Sequence, residues 1–325
     1  MNSGHMLAMG DFTELADCFA HAGFSVRLPA RGIIQITSPG RGHERQGLLV
    51  SVGVHGDETA PIEMLAQVLH GLMRTPHALT VDLMVAVGNL DAIALRKRYL
   101  DADMNRLFRA DRSDLASASE AGRADALMQA SAAFFAVPHA GKWHLDLHAA
   151  IRPSRYPAFA VMPDAIAEEG KRALIDWLGS AEIGAVILNR KLAGTFSAYT
   201  ATQFGAISCT LELGRIGALG ANDLSPFVPA QRALERLLRS EQAATMPVQS
   251  PHMFHVVQEI IKHSDGFSMA FDRAIDNFTT IQPGTLIAQD GDIVYRTGNA
   301  IEYIVFPNPD VRIGQRAGLM VVRQQ

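Results

Sequence analysis

The amino-acid sequence predicts an α/β protein with a smaller, mostly β domain at its C-terminus. From about residue 25 to residue 240, short apolar runs alternate with helical patterns, which is typical of a layered α/β fold. After about residue 245 the helical patterns stop, and short β-like runs are separated by Gly, Pro, Asp and Asn. We therefore predict an α/β domain over residues 10–245 and a β domain over residues 246–325.

The elements of the first domain follow from hydrophobic periodicity. Short apolar runs predict strands over residues 33–37, 48–54, 81–87, 144–147, 158–161, 186–188 and 207–211. Apolar residues that recur every three or four positions predict helices over residues 61–73, 125–135 and 229–238. Residues 109–124 are rich in Asp, Ser, Ala and Arg, which indicates an exposed loop that runs into a helix.

The elements of the second domain are all predicted to be strands. They cover residues 254–261, 284–288, 293–295, 302–306 and 319–322. Asp290-Gly291 is a hairpin signal, because a type I′ turn requires a positive φ at both of its central residues. We therefore predict a tight hairpin centred on this pair.

The composition favours a globular enzyme and excludes several other classes of protein. Apolar residues make up 48% of the chain and charged residues 19%, as in globular rather than disordered proteins. The net charge of −4, with no stripe of Lys and Arg, gives no reason to expect nucleic acid. No apolar run approaches the roughly 20 residues that span a bilayer, so we expect no membrane association.

The cysteines and the N-terminus bear on the cellular compartment. The two cysteines suit neither a disulfide framework nor a cysteine-rich metal site. The N-terminus lacks a basic region followed by an apolar core, so no secretion signal is predicted. We expect a cytoplasmic location, and the sequence leaves open whether the protein is a monomer or a homo-oligomer.

His55 and Glu58 are the most informative residues of the chain. They form a His-x-x-Glu pair directly after the apolar run 48–54, and Pro61 follows at a predicted helix start. Open α/β sheets bind their ligands at the C-terminal ends of strands. An imidazole nitrogen and a carboxylate oxygen there are two of the three protein ligands of a catalytic zinc. A His-x-x-acid pair arises by chance about once in a chain of this composition, so its place after a buried strand carries the argument.

His148 is the candidate third ligand. Side chains alternate along a strand, so His144, Asp146 and His148 share one face of the predicted strand. His148 ends that run, level with His55 if the two strands are parallel. Asp146, two positions back, is a candidate hydrogen-bond acceptor that contacts and orients the ligand. The alternative is a hydrogen-bonded histidine at a strand end.

Glu212 is a candidate general base. It closes the apolar strand 207–211, and a carboxylate in so apolar a run is costly to bury unless it is paired or protonated. Next to a zinc-bound water it would accept the proton of the water and pass it to the leaving amine. The alternative is an ion pair to Arg215 or Lys191.

Arg98, Asn105 and Arg106 place guanidinium and amide donors beyond the strand 81–87. Guanidinium groups bind carboxylates through two parallel hydrogen bonds, so this segment suits an acidic substrate. The alternative is a solvated, charged loop.

Together these segments resemble the succinylglutamate desuccinylase/aspartoacylase family, within the wider group of zinc carboxypeptidase-like hydrolases. The motifs are GVHGDETAPIE at 53–63, RYLDADMNR at 98–106, LDLH at 145–148 and TLELG at 210–214. The resemblance continues through residues 194–196 and 222–224 and into the tail at 262–265, 284–291 and 302–309. It therefore covers nearly the whole chain.

The resemblance implies a carboxypeptidase-like α/β/α sandwich with a smaller C-terminal mostly β domain that helps to close the site. It also implies roles for particular residues. His55, Glu58 and His148 would bind one zinc ion per chain, and Glu212 would be the general base. Arg98 would polarise the scissile carbonyl, and Asn105 with Arg106 would bind a substrate carboxylate.

One departure from the family pattern affects the substrate. The resemblance leads us to expect a basic residue between Thr195 and Glu212 that meets a second carboxylate, but no Arg or Lys lies there. A second cation would have to come from Lys191 or from the tail.

The reaction that the resemblance implies is hydrolysis of N-succinyl-L-glutamate to succinate and glutamate, the last step of the arginine succinyltransferase route of arginine degradation. The partner would be a small N-acyl amino acid. The main alternative is a deacylase that acts on another such substrate, for example N-acetyl-aspartate. A peptidase and a non-catalytic binding module are further alternatives.

Overall fold

The computed structural model describes residues 3–38, 45–190, 194–241 and 249–324. Its strands are β1 Ser25–Ala30, β2 Ile33–Thr37, β3 Gln46–Val52, β4 Asp82–Val87, β5 Gly141–Ala150, β6 Ala158–Pro163, β7 Ala185–Asn189, β8 Ile207–Arg215, β9 His252–Ile261, β10 Ser268–Met269, β11 Thr279–Ile281, β12 Leu286–Asp290, β13 Ile293–Arg296, β14 Glu302–Val305 and β15 Arg316–Arg323. Each strand predicted from an apolar run is present, with ends that differ by a few residues.

The α-helices are α1 Ser3–Ala8, α2 Thr13–His21, α3 Ala60–Met73, α4 Leu90–Ala94, α5 Ala121–Ala136, α6 Glu168–Ser180, α7 Phe196–Phe204 and α8 Val228–Arg239. Short 3-10 turns cover Pro76–Ala78, Met104–Arg106, Ser113–Leu115 and Ser225–Phe227. The three predicted helices correspond to α3, α5 and α8. Among the described residues, no helix is long and apolar enough to cross a membrane.

Helices cover both faces of the central strands. Along β3, Leu48 and Val50 pack with α1, α2, α3, α6 and α8 in one apolar core. Leu49, which points to the other face, packs with α5 and α7 in a second core. The alternation arises because successive side chains of a strand point to opposite faces. The predicted α/β/α arrangement is therefore confirmed.

The order of the central strands creates a crevice. The order within the sheet is β4-β3-β5-β8, and these four strands are parallel. The chain passes from β3 to β4 on one side and then returns to β5 on the other side of β3. Such a reversal leaves room for a ligand at the carboxyl ends of the two strands. His55 and His148 lie at this point.

The C-terminal residues form a mostly β unit, as predicted, and they extend the central sheet. Strand β9 pairs in parallel with β7, and β15, β14 and β11 continue the same sheet beyond it. Strands β10, β12 and β13 form a separate three-stranded sheet. The predicted boundary between residues 245 and 246 lies outside the described residues.

The predicted hairpin is present, but its predicted turn type is wrong. Asp290 pairs with Ile293, so the two central residues are Gly291 and Asp292. A type I′ turn requires a positive φ at both central residues, but only Gly291 has one, of 60°. A positive φ at the first central residue alone is the pattern of a type II′ turn. Asp290 instead ends β12, where its carboxylate accepts hydrogen bonds from the backbone N–H groups of His263 and Ser264.

Candidate metal centre and substrate pocket

The structure brings the three predicted metal ligands together. Strands β3 and β5 are parallel, with Val52 opposite Leu147, so His55 just after β3 lies level with His148 on β5. Glu58 precedes α3 and lies between the two rings. In the described part of the chain, these three residues form a group whose ligand atoms all lie within 4.8 Å of one another, and all three are buried.

Glu58 is shared between the two imidazoles. Its Oε1 lies 2.8 Å from His55 Nδ1, and its Oε2 lies 2.8 Å from His148 Nδ1. The backbone N–H of Ala149 also donates to Oε2, at 3.1 Å. Burial alone would raise the pKa of Glu58, but the two histidines hold that pKa well below its ordinary value. The carboxylate is therefore ionised, as a metal ligand must be.

A second carboxylate contacts the other nitrogen of each ring. His148 Nε2 lies 3.1 Å from Asp146 Oδ2, and His55 Nε2 lies 2.9 Å from Asp103 Oδ1. Such acceptors fix the tautomer and the orientation of a metal-binding histidine. Asp146 has the orienting position predicted for it. Asp103 was not predicted, although it lies within the 98–106 motif.

The donor set fits a divalent metal. Both imidazole Nδ1 atoms lie 2.8 Å from the Glu58 carboxylate, and each Nε2 atom contacts a further carboxylate. Two histidines and one carboxylate are the protein ligands of many catalytic zinc sites.

Asp146 is held in place by a buried network of polar side chains. The Ser51 hydroxyl donates to Asp146 Oδ1 at 2.5 Å, and Ser51 Oγ lies 2.8 Å from His144 Nε2. His144 Nδ1 in turn lies 2.8 Å from Thr200 Oγ1. Burial lowers the pKa of His144 to about 4, so this ring is neutral at physiological pH. The network fixes Asp146, and Asp146 in turn fixes His148.

Arg98 reaches the centre because its segment passes very close to Gly56. The Gly56 N–H donates to the Arg98 carbonyl at 3.0 Å, and a Cβ on Gly56 would lie 2.3 Å from the backbone carbon of Ala92. The Arg98 side chain donates through Nη1 to Glu58 Oε1 at 2.7 Å, and its Nη2 lies 3.3 Å from His55 Nε2. The guanidinium therefore lies beside the ligand group, and its action on a substrate carbonyl stays a prediction.

The segment after Arg98 is held by Glu120, which was not predicted as a functional residue. The buried Glu120 carboxylate accepts backbone N–H groups from Leu100 at 2.6 Å, Asp101 at 3.2 Å and Ala102 at 3.1 Å. Nothing local in the sequence marks Glu120, because its partners lie about 20 positions away. We infer that this carboxylate fixes the backbone that presents Arg98 and Asp103.

We expect Glu120→Gln to destabilise the protein in a pH-dependent way. Burial would raise the pKa of Glu120, but the backbone N–H donors hold it below its ordinary value of 4.5. A carboxylate with a lowered folded-state pKa stabilises the fold above its unfolded-state pKa, and that contribution is lost as the pH falls through the folded-state value. Urea unfolding at neutral pH should show that the free energy of unfolding falls by about 1–3 kcal/mol, and this difference from the wild type should shrink in acid. The same deficit at every pH would contradict this, and Glu169→Gln on an exposed turn of α6 is the control.

Asn105 and Arg106 line the cavity. Asn105 Nδ2 lies 3.5 Å from His148 Nε2, and Asn105 Oδ1 accepts the backbone N–H of Phe196. Arg106 Nη1 donates to the Asn105 carbonyl at 2.9 Å, and its Nη2 lies 3.6 Å from Asp103 Oδ2. Both side chains are therefore positioned before any substrate binds, and their role in binding a carboxylate stays a prediction.

Glu212 lies beside the ligand group on the neighbouring strand. It is opposite His148 in the parallel pair of β5 and β8, and it is 8% exposed at the wall of the cavity. Burial, and then the negative charge of Glu58, raise the pKa of Glu212 to about 7. No cation of the described residues forms an ion pair with Glu212, so the alternative of a pair with Arg215 is not observed; Lys191 lies outside those residues. A carboxyl group with a pKa near neutrality suits proton transfer in both directions.

A cavity of about 300 Å³ connects these groups to residues of the C-terminal β unit. Among the residues that the structure describes, four arginines line it: Arg98, Arg106, Arg152 and Arg316. The last two were not predicted. Arg316 is the first residue of the last strand, β15. The only sequence feature that could have indicated it is a basic residue directly before an apolar run. The cavity is therefore rich in carboxylate-binding groups, and both units of the chain form its wall.

The chain is similar to known proteins over most of its length. The model of the succinylglutamate desuccinylase/aspartoacylase catalytic domain matches residues 44–238. The model of the AstE/AspA barrel-sandwich hybrid domain matches residues 249–324. A succinylglutamate desuccinylase of Burkholderia thailandensis is 42% identical over 309 residues, which cover 94% of this chain and 88% of that protein.

Solved structures agree with these matches over most of the chain. A succinylglutamate desuccinylase structure from Vibrio parahaemolyticus aligns with a TM-score of 0.85 at 31% identity, and covers 93% of this chain and 89% of that one. A succinylglutamate desuccinylase structure from Chromobacterium violaceum aligns with a TM-score of 0.80 at 35% identity, and covers 96% and 97%. The family resemblance of the sequence motifs is therefore confirmed.

Proposed function

This chain belongs to the succinylglutamate desuccinylase/aspartoacylase family, and from that membership we infer that it is an amide hydrolase that converts N-succinyl-L-glutamate to succinate and L-glutamate. We propose that the reaction depends on zinc and serves arginine degradation in the cytoplasm. The observation that carries the proposal is the buried His55–Glu58–His148 group, which lies beside Glu212 in a cavity lined by arginines.

His55, Glu58 and His148 would hold the zinc ion. When bound there, zinc would supply Lewis-acid polarisation and lower the pKa of a water toward about 7. The protein would keep the three ligands close together and in the protonation state that a metal requires. Asp146 and Asp103 do this for the two imidazoles.

Glu212 would move the proton. As the base it accepts a proton from the attacking water, and as the acid it returns that proton to the nitrogen of the departing glutamate. Its buried position keeps the carboxyl pKa high enough for both steps.

Arg98, Asn105 and Arg106 would bind and orient the substrate. Arg98 would donate to the scissile carbonyl as negative charge develops on its oxygen. Asn105 and Arg106 would bind a carboxylate. N-succinylglutamate carries three carboxylates, which matches a cavity with more guanidinium groups than a single carboxylate needs.

A second candidate is hydrolysis of another N-acyl amino acid, such as N-acetyl-aspartate. The observation that favours it is the absence of Arg and Lys between Thr195 and Glu212, a stretch that contains helix α7. A succinyl group carries one carboxylate more than an acetyl group, so its recognition needs a further cation.

Release of the free amine from N-succinylglutamate and from N-acetylaspartate, measured side by side, tests the proposal. We expect zinc-loaded protein to prefer the succinyl substrate by about 10- to 150-fold in kcat/KM, because one unmet hydrogen bond to a charged group costs about 1.5–3 kcal/mol. Protein treated with a chelator is the control and should be inactive. Preference for the acetyl substrate would replace the first candidate by the second, and full activity after chelation would refute zinc dependence.

A further inference from the structure

Arg316 belongs to the C-terminal β unit, yet it lines the same cavity as Arg106. It is the first residue of β15 and pairs with Ile261 of β9. Its side chain is 23% exposed. A strand inside an extended sheet is a rigid support, so the guanidinium is held at the wall of the cavity.

The guanidinium of Arg316 has almost no partners within the described residues. Its Nη1 lies 3.9 Å from Glu259 Oε1, too far for a hydrogen bond, and it donates no hydrogen bond to any of those residues. An arginine has five N–H donors, and no donor of Arg316 is both buried and unsatisfied, so the donors without a protein partner are accessible to a ligand in the cavity. Arg106, by contrast, already donates to the Asn105 carbonyl.

The neighbouring charges favour an anion at this place. Burial, and then the positive charge of Arg106, lower the pKa of Arg316 to about 10, while Glu259 and Asp103 act in the opposite direction. Arg316 therefore stays charged at neutral pH, close enough to Arg106 for the two guanidiniums to repel each other. A carboxylate bound between them would relieve that repulsion and accept hydrogen bonds from both.

We propose that Arg316 binds, together with Arg106, a substrate carboxylate remote from the scissile amide. The inference rests on the proposed function and deepens it, because it names the cation that the stretch between Thr195 and Glu212 does not supply. It also makes the C-terminal β unit part of the substrate site. Specificity for a substrate with several carboxylates would then depend on residues of both units.

Arg152 is the rival for this role. It also lines the cavity, but it follows β5 in a connecting segment, and neither strand nor helix fixes its backbone. Arg316 is fixed by strand pairing and lies within electrostatic reach of Arg106, so the observations favour Arg316.

The test compares wild type with Arg316→Gln on three substrates. They are N-succinylglutamate, N-butanoylglutamate, which lacks the carboxylate of the acyl group, and N-succinylnorvaline, which lacks the side-chain carboxylate. We expect Arg316→Gln to raise KM for N-succinylglutamate about 10- to 100-fold with little change in kcat. The ratio of kcat/KM for N-succinylglutamate to kcat/KM for one of the two shortened substrates should fall toward one. Which preference disappears identifies the carboxylate, and two unchanged preferences would overturn the proposal.

Two further variants exclude a general effect of charge or folding. Arg312→Gln removes the same charge from an exposed position four residues earlier, outside the cavity, and should behave as wild type. Arg316→Lys keeps the charge but not the two-pronged geometry, and should be intermediate. An equal effect of Arg312→Gln would overturn the proposal.

Calorimetric binding of succinate and of L-glutamate separates this inference from the proposed function. If the wild type does not hydrolyse N-succinylglutamate, the proposed function fails, while the binding data still decide the role of Arg316. We expect Arg316→Gln to weaken binding of at least one of the two dicarboxylates by about tenfold or more. Equal affinities, or no binding by the wild type, would overturn the inference.

Discussion

Glu212→Gln is expected to leave the protein folded and zinc-loaded and to lower kcat by about 100- to 10,000-fold. Glutamine has nearly the same shape as glutamate, but it cannot accept a proton from water at neutral pH. Glu212 is not among the three grouped ligands, so its amide should leave the metal in place. The substitution also removes a buried carboxylate whose pKa is raised by burial and by Glu58, so the fold should be at least as stable as before.

The measurement is steady-state kinetics, with zinc content determined on the same sample. Glu14→Gln in the exposed first turn of α2 is the matched control and should retain wild-type kcat. Loss of zinc with turnover intact would remove Glu212 from its assigned role. A large rise in KM with unchanged kcat would instead make Glu212 a binding residue.

The sequence predicted the central sheet and the ligand group because both depend on local patterns. Strands such as β3 and β4 are buried on both faces, so their apolar runs are continuous and easily recognised. The alternation along β5 correctly placed Asp146 behind His148. Only the parallel pairing of β3 and β5, which brings His148 level with His55, had to be assumed.

Several helices were not predicted, and α6 and α7 show two different reasons. In α6, Leu174 and Leu178 are buried and Ala173, Ile175 and Trp177 pack against the same core, so an amphipathic pattern was present in the sequence and was missed. Helix α7 is buried on most sides, so it lacks the alternation of apolar and polar positions that marks an amphipathic helix. Its formation is therefore decided by tertiary packing.

The residues that position the site were missed because their partners are distant in sequence. Glu120 holds backbone groups about 20 positions away, and Arg316 shares a cavity with a residue 210 positions before it. Neither relation leaves a local pattern. A succinyl substrate would need a further cation, because no Arg or Lys lies between Thr195 and Glu212, and Arg316 is the one that we propose.

His148→Ala is expected to abolish stable zinc binding and therefore to lower the activity by at least about 1000-fold. Catalytic zinc sites use three protein ligands, and this substitution leaves two. It also removes a ring that contacts both Asp146 and Glu58. The two buried carboxylates would then lose the partner that they share. Breaking a buried ion pair typically lowers the free energy of unfolding by about 3–5 kcal/mol.

Elemental analysis and thermal unfolding, each with and without a chelator, measure the two effects separately. The wild type should contain one zinc ion per chain and lose stability on chelation, because a ligand that binds only the folded state stabilises it. His148→Ala should melt at a lower temperature and should not respond to the chelator. The matched control is His70→Ala on the exposed side of α3, which should keep zinc and the chelator response. Full zinc occupancy in His148→Ala would discard His148 as a ligand, and with it the three-ligand centre on which the proposed reaction depends.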